Sequence, residues 1–401
     1  MSGLYLTPQH EQLRQAVRTF AECEVAPRVA EMEQSGAVER DLVSLMARQG
    51  WIGATIPPEY GGMGVGHVAK TLVIEEIAQV SPAMGAAVQA SQLGMAKILH
   101  FGNDQQKTTW LPQVAAGTVL PTIAVTEPDS GSHVLGMQAT AQRRGNDYVL
   151  NGRKCYIGNS HVGNLHGIVV RTSKKAGRRS LSAFLVESGR PGLSVSEHIP
   201  AMGLRGFSFG ELILENCRVP EENLLGVPGD GLDVAYSSSV LYGRPNLTAV
   251  ALGIHQALVD ETIAYAQKRI LYGRPLSELP TIREKLGLLT SRLTTARSIA
   301  YEAVRLLDQG KPCDELLINA KLVNVDLVRD SARTAMDVHG AAGLMTSRPI
   351  ERLFRDAEHT YAPAGTGDIQ ILRLGQESLG TEHDQWSQRF PSPLTAAGAA
   401  A

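Results

Sequence analysis

The chain has 401 residues, 43% of them hydrophobic, a larger apolar complement than one core holds, so two or three domains are expected. Lys and Arg total 38 against 40 Asp and Glu, a net charge of -2, which excludes both the basic footprint of a nucleic-acid binder and the charge excess of a disordered acidic chain. No run approaches the roughly 18 apolar residues of a membrane span, the N-terminus lacks a signal-peptide layout, and Cys23, Cys155, Cys217 and Cys313 stand far apart, so a cytoplasmic protein without a metal site is expected. The first predicted element is a helix, with Thr7 as N-cap, Pro8 at the first helical position and an apolar stripe at Leu13, Val17 and Phe20. Helices continue to about residue 118, broken by loops at Ile56-Pro57-Pro58 and at Glu59-Tyr60-Gly61-Gly62-Met63-Gly64. From 121 to about 230 the apolar period falls to two, with β runs at 147–150, 167–171 and 182–187 between Gly- and Asn-rich turns. The basic run Lys174, Lys175, Arg178 and Arg179 falls at a hairpin tip and reads as a solvated loop. From 231 the helical period returns, strongest at Leu286, Leu289, Leu293, Ala296, Ala300, Ala303 and Leu307, a bundle seam; a further helix from about 314 to the 340 region carries Leu322, Val325, Ala332 and Ala335. The order is α, β, α: a helical N-terminal domain (1–120), a middle β domain (121–230), a C-terminal helical bundle (231–385) and a flexible tail (386–401).

Three segments are candidates for chemistry. Val125-Thr126-Glu127-Pro128-Asp129-Ser130-Gly131-Ser132 is a polar turn after an apolar strand; it is either structural or a cradle whose hydroxyls and amides hold a polar cofactor edge. Gly340-Ala341-Ala342-Gly343 allows close approach of a phosphate or of another helix. Arg269 and Arg274 flank a turn at a helix end, where they clamp a pyrophosphate or cap the helix.

Taken together, and with Tyr60-Gly61-Gly62, Met202-Gly203-Leu204-Arg205-Gly206, the 219–226 segment, Arg355-Asp356-Ala357 and Gly365-Thr366-Gly367-Asp368-Ile369-Gln370, these segments resemble the acyl-CoA dehydrogenase family in order and over nearly the whole length. The resemblance implies an α+β multidomain fold with a helical N-terminal domain, a β-barrel-like middle domain and a C-terminal four-helix bundle. It implies FAD between the β domain and the bundle, and an acyl thioester lying against the flavin. Ile123, Val125, Thr126, Gly131 and Ser132 would line the flavin ring, with Tyr156, Ile157 and Gly158 along its other edge. Arg269 would reach a neighbouring subunit's FAD phosphates, near which Asp337, Gly340 and Ala341 also fall; Thr366 and Asp368 would contact the ribityl and adenosine portions. Ser132, Tyr242, Arg244 and Gly365 fall on the substrate side. A homodimer or homotetramer is expected.

The departures from the family pattern bear on the reaction. The usual catalytic glutamate is replaced by Ala364, and the position before Arg244, where a minority of the family carries it, is Gly243. Gly158 stands where a hydroxyl is common, and Asp337 adds a carboxylate near the cofactor phosphates that weakens binding unless a cation neutralises it. Tyr242, Tyr361, His133 and Asp368 are the remaining base candidates, each with an ordinary structural explanation. The expected activity is an FAD-dependent oxidoreductase acting on a coenzyme A or acyl-carrier-protein thioester with non-standard chemistry, in specialised metabolism, with an electron-transfer flavoprotein or a carrier protein as partner. The alternatives are a flavin-dependent monooxygenase on the same fold, or a non-redox enzyme or binding protein.

Overall fold

The computed structural model describes residues 6–380, 385–390, 392 and 394. Thr7 caps α1 (Pro8–Phe20): its hydroxyl accepts from the His10 N–H, and the His10 ring accepts from the Thr7 N–H. Then come α2 (Val29–Ser35), α3 (Arg40–Ala47), α4 (Gly66–Val80), α5 (Pro82–Phe101) and α6 (Asp104–Ala115), with the Pro/Gly clusters around 56–64 forming loops as expected. Helices α4 and α5 are buried almost all round, so their charged residues persist only where a partner meets them. Arg18 holds Glu76 in a bidentate pair at 2.8–3.0 Å, Arg297 and the Tyr301 hydroxyl hold Glu75, and Lys97 Nζ donates to the Gly94 and Thr122 carbonyls.

Residues 121–225 supply β1 (Pro121–Ala124), β2 (Thr140–Arg144), β3 (Asp147–Gly158), β4 (Leu165–Arg171), β5 (Leu181–Glu187), β6 (Leu193–Val195), β7 (Phe209–Pro220) and β8 (Leu224–Leu225). They form one sheet in the order β6-β7-β3-β2-β4-β5-β8, with β1 parallel to β4. Alternation appears along β7, but β4 and β5 are continuous apolar runs. Ile168, Val170, Phe184 and Val186 face the sheet's own core, whereas Leu165, Val169, Leu181 and Leu185 face the helices, and strands covered on both faces lose the period of two.

The C-terminal part holds α7 (Gly231–Ser238), a π turn (Ser239–Gly243), α8 (Arg244–Lys268), a hairpin of β9 (Ile270–Leu271) and β10 (Arg274–Pro275), then α9 (Pro280–Asp308), α10 (Asp314–His339), α11 (Pro349–Glu358) and α12 (Gly367–Ser378). The α9 seam is buried at Leu289, Leu293, Ala296, Ala300, Ala303 and Leu307, with Leu286 half-buried. N- and C-terminal helices share one core, so the α, β, α order gives a single helical body with the sheet packed on it. The basic run does sit at the β4–β5 hairpin tip, but two of its residues are engaged: Arg178 pairs with Asp233 and Arg179 with Asp230, fastening the hairpin to α7. Among the described residues no helix is long and apolar enough to cross a membrane.

The expected flexible tail from 386 needs correction at its start. α13 (Trp386–Arg389) buries Trp386 and Ser387, and their amides donate to the two Asp314 carboxylate oxygens at 2.7 and 2.9 Å. The apolar indole and the free N-terminal carboxylate of α10 outweigh the polar composition around them. Residues 391, 393 and 395–401 lie outside the described part.

Three buried lysines, Lys70, Lys97 and Lys321, are each pushed down to about 7 by burial. The unfolded chain holds these protons to about pH 10. Above about pH 7 the unfolded state therefore binds more protons, and stability rises with pH; the gain is lost as pH falls through 7. Thermal midpoints are expected to climb between about pH 7 and 8.5, before the buried thiols oppose the trend, and Lys97→Met is expected to flatten the climb. A midpoint that falls over this window would contradict the assignment.

Candidate functional site

The polar turn after β1 is held from beneath by a buried ion pair. Lys154 Nζ lies 2.7 Å from Glu127 Oε1 with both side chains almost fully covered, and it also donates to the Val125 carbonyl at 2.9 Å. The Glu127 carboxylate accepts from the Gln138 and Ala139 amides at 2.5 and 3.0 Å, and Glu127 and Ser130 exchange backbone hydrogen bonds. Burial lowers the Lys154 pKa, and the facing carboxylate opposes that shift. With the Glu127 carboxylate used inward, the turn leaves Gly131, Ser132 and His133 exposed, and the hydroxyls of Thr126 and Ser132 have no partner among the described residues. Ile123 and Val125 are half-buried beside it.

The Cys155 amide donates to the Thr126 carbonyl at 2.9 Å, which brings the end of β3 alongside the turn. There Tyr156 adopts a left-handed backbone, φ 57°, and stands 67% exposed between the buried Cys155 and Ile157. Asn159, also left-handed, is anchored by Nδ2 on the Ala87 carbonyl and the Ser91 hydroxyl of α5.

Gly158 has no hydroxyl and no space for one. A Cβ there would lie 2.8 Å from Phe207 Cζ and 3.4 Å from Ala90 Cβ. Phe207 belongs to the 202–207 loop, which α11 grips: Arg355 donates to the Met202 carbonyl, Asp356 accepts from the Leu204 amide at 2.5 Å and His359 from the Gly203 amide at 3.0 Å. Two motifs read separately in the sequence thus form one joint, and burial pushes Asp356 up to about 6. Gly158→Thr is expected to cost about 1–3 kcal/mol by overpacking. Phe207→Leu in the same chain should recover most of that cost in urea unfolding; equal stability of Gly158→Thr and the parent would show that Phe207 does not fill the position.

The two positions mapped to a base meet. A Cβ on Gly243 would lie 3.1 Å from Ala364 Cβ, 3.7 Å from Leu93 Cδ1 and 3.7 Å from Ser239 Oγ. Gly243 ends the π turn, an irregularity frequent at functional sites, and Ala364 is left-handed at φ 56°. Leu93 and Ala90 are three residues apart on α5, so Gly158 and the Gly243–Ala364 junction lie along one helix face. Gly365 is held by Lys321 Nζ and Gln370 Nε2, both donating to its carbonyl, and α12 opens at Thr366 without a side-chain cap, with Asp368 exposed.

Arg269, Asp337, Gly340 and Ala341 are elsewhere. Gly243 precedes α8 and Arg269 follows it, so about 36 Å of helix separate them. Arg269 lines a cleft of about 300 Å³ with Tyr265, Lys268, His339 and Arg348. The adjoining hairpin exposes Ile270, Leu271 and Tyr272.

Family models match residues 7–118 (acyl-CoA dehydrogenase, N-terminal domain), 122–217 (middle domain) and 229–379 (C-terminal domain). The chain belongs to the acyl-CoA dehydrogenase family. It is 35% identical over 378 residues to an acyl-CoA dehydrogenase of Bacillus subtilis, covering 94% of this chain and all of that one. It superposes on butyryl-CoA dehydrogenase from Megasphaera elsdenii with a TM-score of 0.91 at 29% identity, covering 93% and 99% of the two chains. On the prolyl acyl carrier protein oxidase AnaB the TM-score is 0.87 at 28% identity, with 94% and 100% covered.

Within this acyl-CoA dehydrogenase fold Tyr242, expected on the substrate side, is fully buried; its hydroxyl sits 2.9 Å from Thr55 Oγ1, Lys70 Nζ lies 4.3 Å from the ring centroid, and burial raises its pKa. Both Tyr242 and Gly243 of the π turn are buried, with Gly243 set against Ala364. Tyr361 is also engaged, with Arg329 5.2 Å from its ring centroid. Asp337 has its neutralising cation, Lys285 Nζ at 2.8 Å. Lys154, Asn159 and Ser239 were missed; Lys154 sits in an alternating strand where a lysine at an inward position was the available signal.

Proposed function

We propose that this family member is an FAD-dependent oxidoreductase acting on an acyl thioester, carried by coenzyme A or an acyl carrier protein, without a glutamate base at either family position. The observation that carries this reading is the contact between Gly243 and Ala364: both places where a carboxylate would stand converge, and neither has one. The residues fit the cofactor: the hydroxyls of Thr126, Ser132 and Thr366, an exposed Tyr156 ring and the uncapped α12 N-terminus form polar and aromatic shelves whose hydroxyls have no partner among the described residues. Ile123, Val125, Thr126, Gly131, Ser132, Tyr156, Ile157 and Gly158 would hold the ring, and Thr366 and Asp368 the ribityl and adenosine portions. When bound, FAD supplies a two-electron acceptor for the substrate. Ser132, Arg244 and Gly365 would lie on the thioester side.

Arg269, Asp337, Gly340 and Ala341 are too far along α8 to serve the same cofactor, which supports contacts to a second copy's FAD in a cytoplasmic homodimer or homotetramer. The exposed Ile270, Leu271 and Tyr272 agree with such an interface. The similarity to a carrier-protein oxidase supports a role in specialised metabolism, and an electron-transfer flavoprotein is the proposed electron partner. The same missing base favours a second reading, a flavin monooxygenase, because inserting oxygen needs no carboxylate to take an α-proton.

The deciding experiment is the absorption spectrum of the purified protein with a panel of acyl thioesters under anaerobic conditions. Bleaching of bound flavin by any of them supports the dehydrogenase or oxidase reading. Hydroxylated product formed only with oxygen, NADH and a flavin reductase would move the protein to the second reading, and absence of bound flavin would overturn both.

A further inference from the structure

Arg244 is 3% exposed, and its Nε and Nη1 atoms are buried with no hydrogen-bond partner among the described residues. A buried guanidinium is normally paired, and leaving one unpaired costs several kcal/mol. The groups around it do not pair it. Asp314 spends both carboxylate oxygens on the Trp386 and Ser387 amides. Arg373 lies over the Tyr236 ring, 5.3 Å from its centroid, and Lys321 donates to the Tyr361 and Gly365 carbonyls. Burial, with repulsion from Arg373, lowers Arg244 to about 10, and the charge of Asp314 only partly opposes this.

The π turn closes with the Arg244 amide donating to the Ser239 carbonyl, setting these two residues one above the other. The Ser239 hydroxyl is half-buried without a partner and faces the Gly243–Ala364 junction. A buried guanidinium next to two missing side chains, with the nearby Asp314 carboxylate engaged by backbone amides and no protein acceptor on its Nε or Nη1 among the described residues, is open to an anion from the ligand. Resting on the acyl-thioester reading, we propose that the acyl group carries a carboxylate of its own, as in a dicarboxylic acid monothioester, and that Arg244, with Ser239, binds that carboxylate at the Gly243–Ala364 junction. A protonated amine on the acyl group, as in a prolyl thioester, would be repelled there.

The test uses the FAD-loaded protein and pantetheine thioesters, since the pantetheine arm is common to coenzyme A and carrier proteins. Binding of malonyl, succinyl and glutaryl thioesters is compared with propionyl, butyryl and pentanoyl thioesters of equal length by calorimetry. A charge-assisted bidentate contact predicts a preference for the dicarboxylic series of at least ~10-fold, and Arg244→Met is expected to erase it with Arg244→Lys retaining part. If Arg244→Met does not fold, Ala364→Glu provides the second arm, because a fixed carboxylate at the junction should also remove the preference. Equal or tighter binding of the neutral series, or a preference that survives Arg244→Met or, where that variant does not fold, Ala364→Glu, overturns the proposal and leaves the acyl-thioester reading standing. Failure of every thioester to bind overturns both.

Discussion

Ala364→Glu is expected to raise the rate of anaerobic flavin reduction by butyryl-CoA by about two to four orders of magnitude, the range a positioned general base supplies. The geometry favours it. Ala364 already accepts a left-handed backbone, so glutamate adds little backbone strain, and Gly243 opposite leaves room for the longer side chain. Arg244 in the adjoining turn would keep the new carboxylate ionised and able to take a proton. Gly243→Glu is expected to gain less, because its Cβ would lie 3.1 Å from Ala364 and the neighbour must yield first. Stopped-flow absorbance of the two variants beside the parent makes the comparison. No gain from either would show that these positions do not face the α-carbon of the substrate, and the mapping of the base site would have to be abandoned.

Lys154→Met is expected to be the most damaging single change at the site, costing about 3–5 kcal/mol, because it strands the Glu127 carboxylate in a covered position. The lost energy is local to the turn. Lys154 ties the Val125 carbonyl to Glu127, and Glu127 ties the 138–139 amides, so the shelf carrying Thr126 and Ser132 loses its base. Flavin content of the purified variant should therefore fall along with the midpoint of denaturant unfolding. The double change Lys154→Met with Glu127→Gln removes the stranded charge and should recover part of the stability without recovering flavin. A Lys154→Met variant with parental stability would mean that the pair is relaxed by solvent.

Much of this was legible along the chain. The N-cap at Thr7, the α9 seam and the breaks around 56–64 follow from local chemistry, which acts over a few residues. The cofactor-side expectations rest on the family resemblance, because the 125–132 turn and the 340–343 segment each read equally as ordinary structure by themselves. Asp337 was read as a liability, yet its partner Lys285 stands 52 positions away on α9, and no local pattern announces a cation delivered by another helix. The burial of Tyr242 was not legible for a related reason, since its hydroxyl's partner Thr55 stands 187 positions away. Trp386 was assigned to a tail because its partner, the Asp314 carboxylate, lies 72 residues back.

The sequence by itself determined the α, β, α order, the family resemblance and the absence of a glutamate at 243 and 364, because each depends on residue type at a position. Only the tertiary structure decided that those two positions are in contact, that Phe207 fills the space a hydroxyl at 158 would need, and that the buried Arg244 Nε and Nη1 have no hydrogen-bond partner among the described residues. These are distances between side chains on separate elements, set by how helices and sheet close over one another.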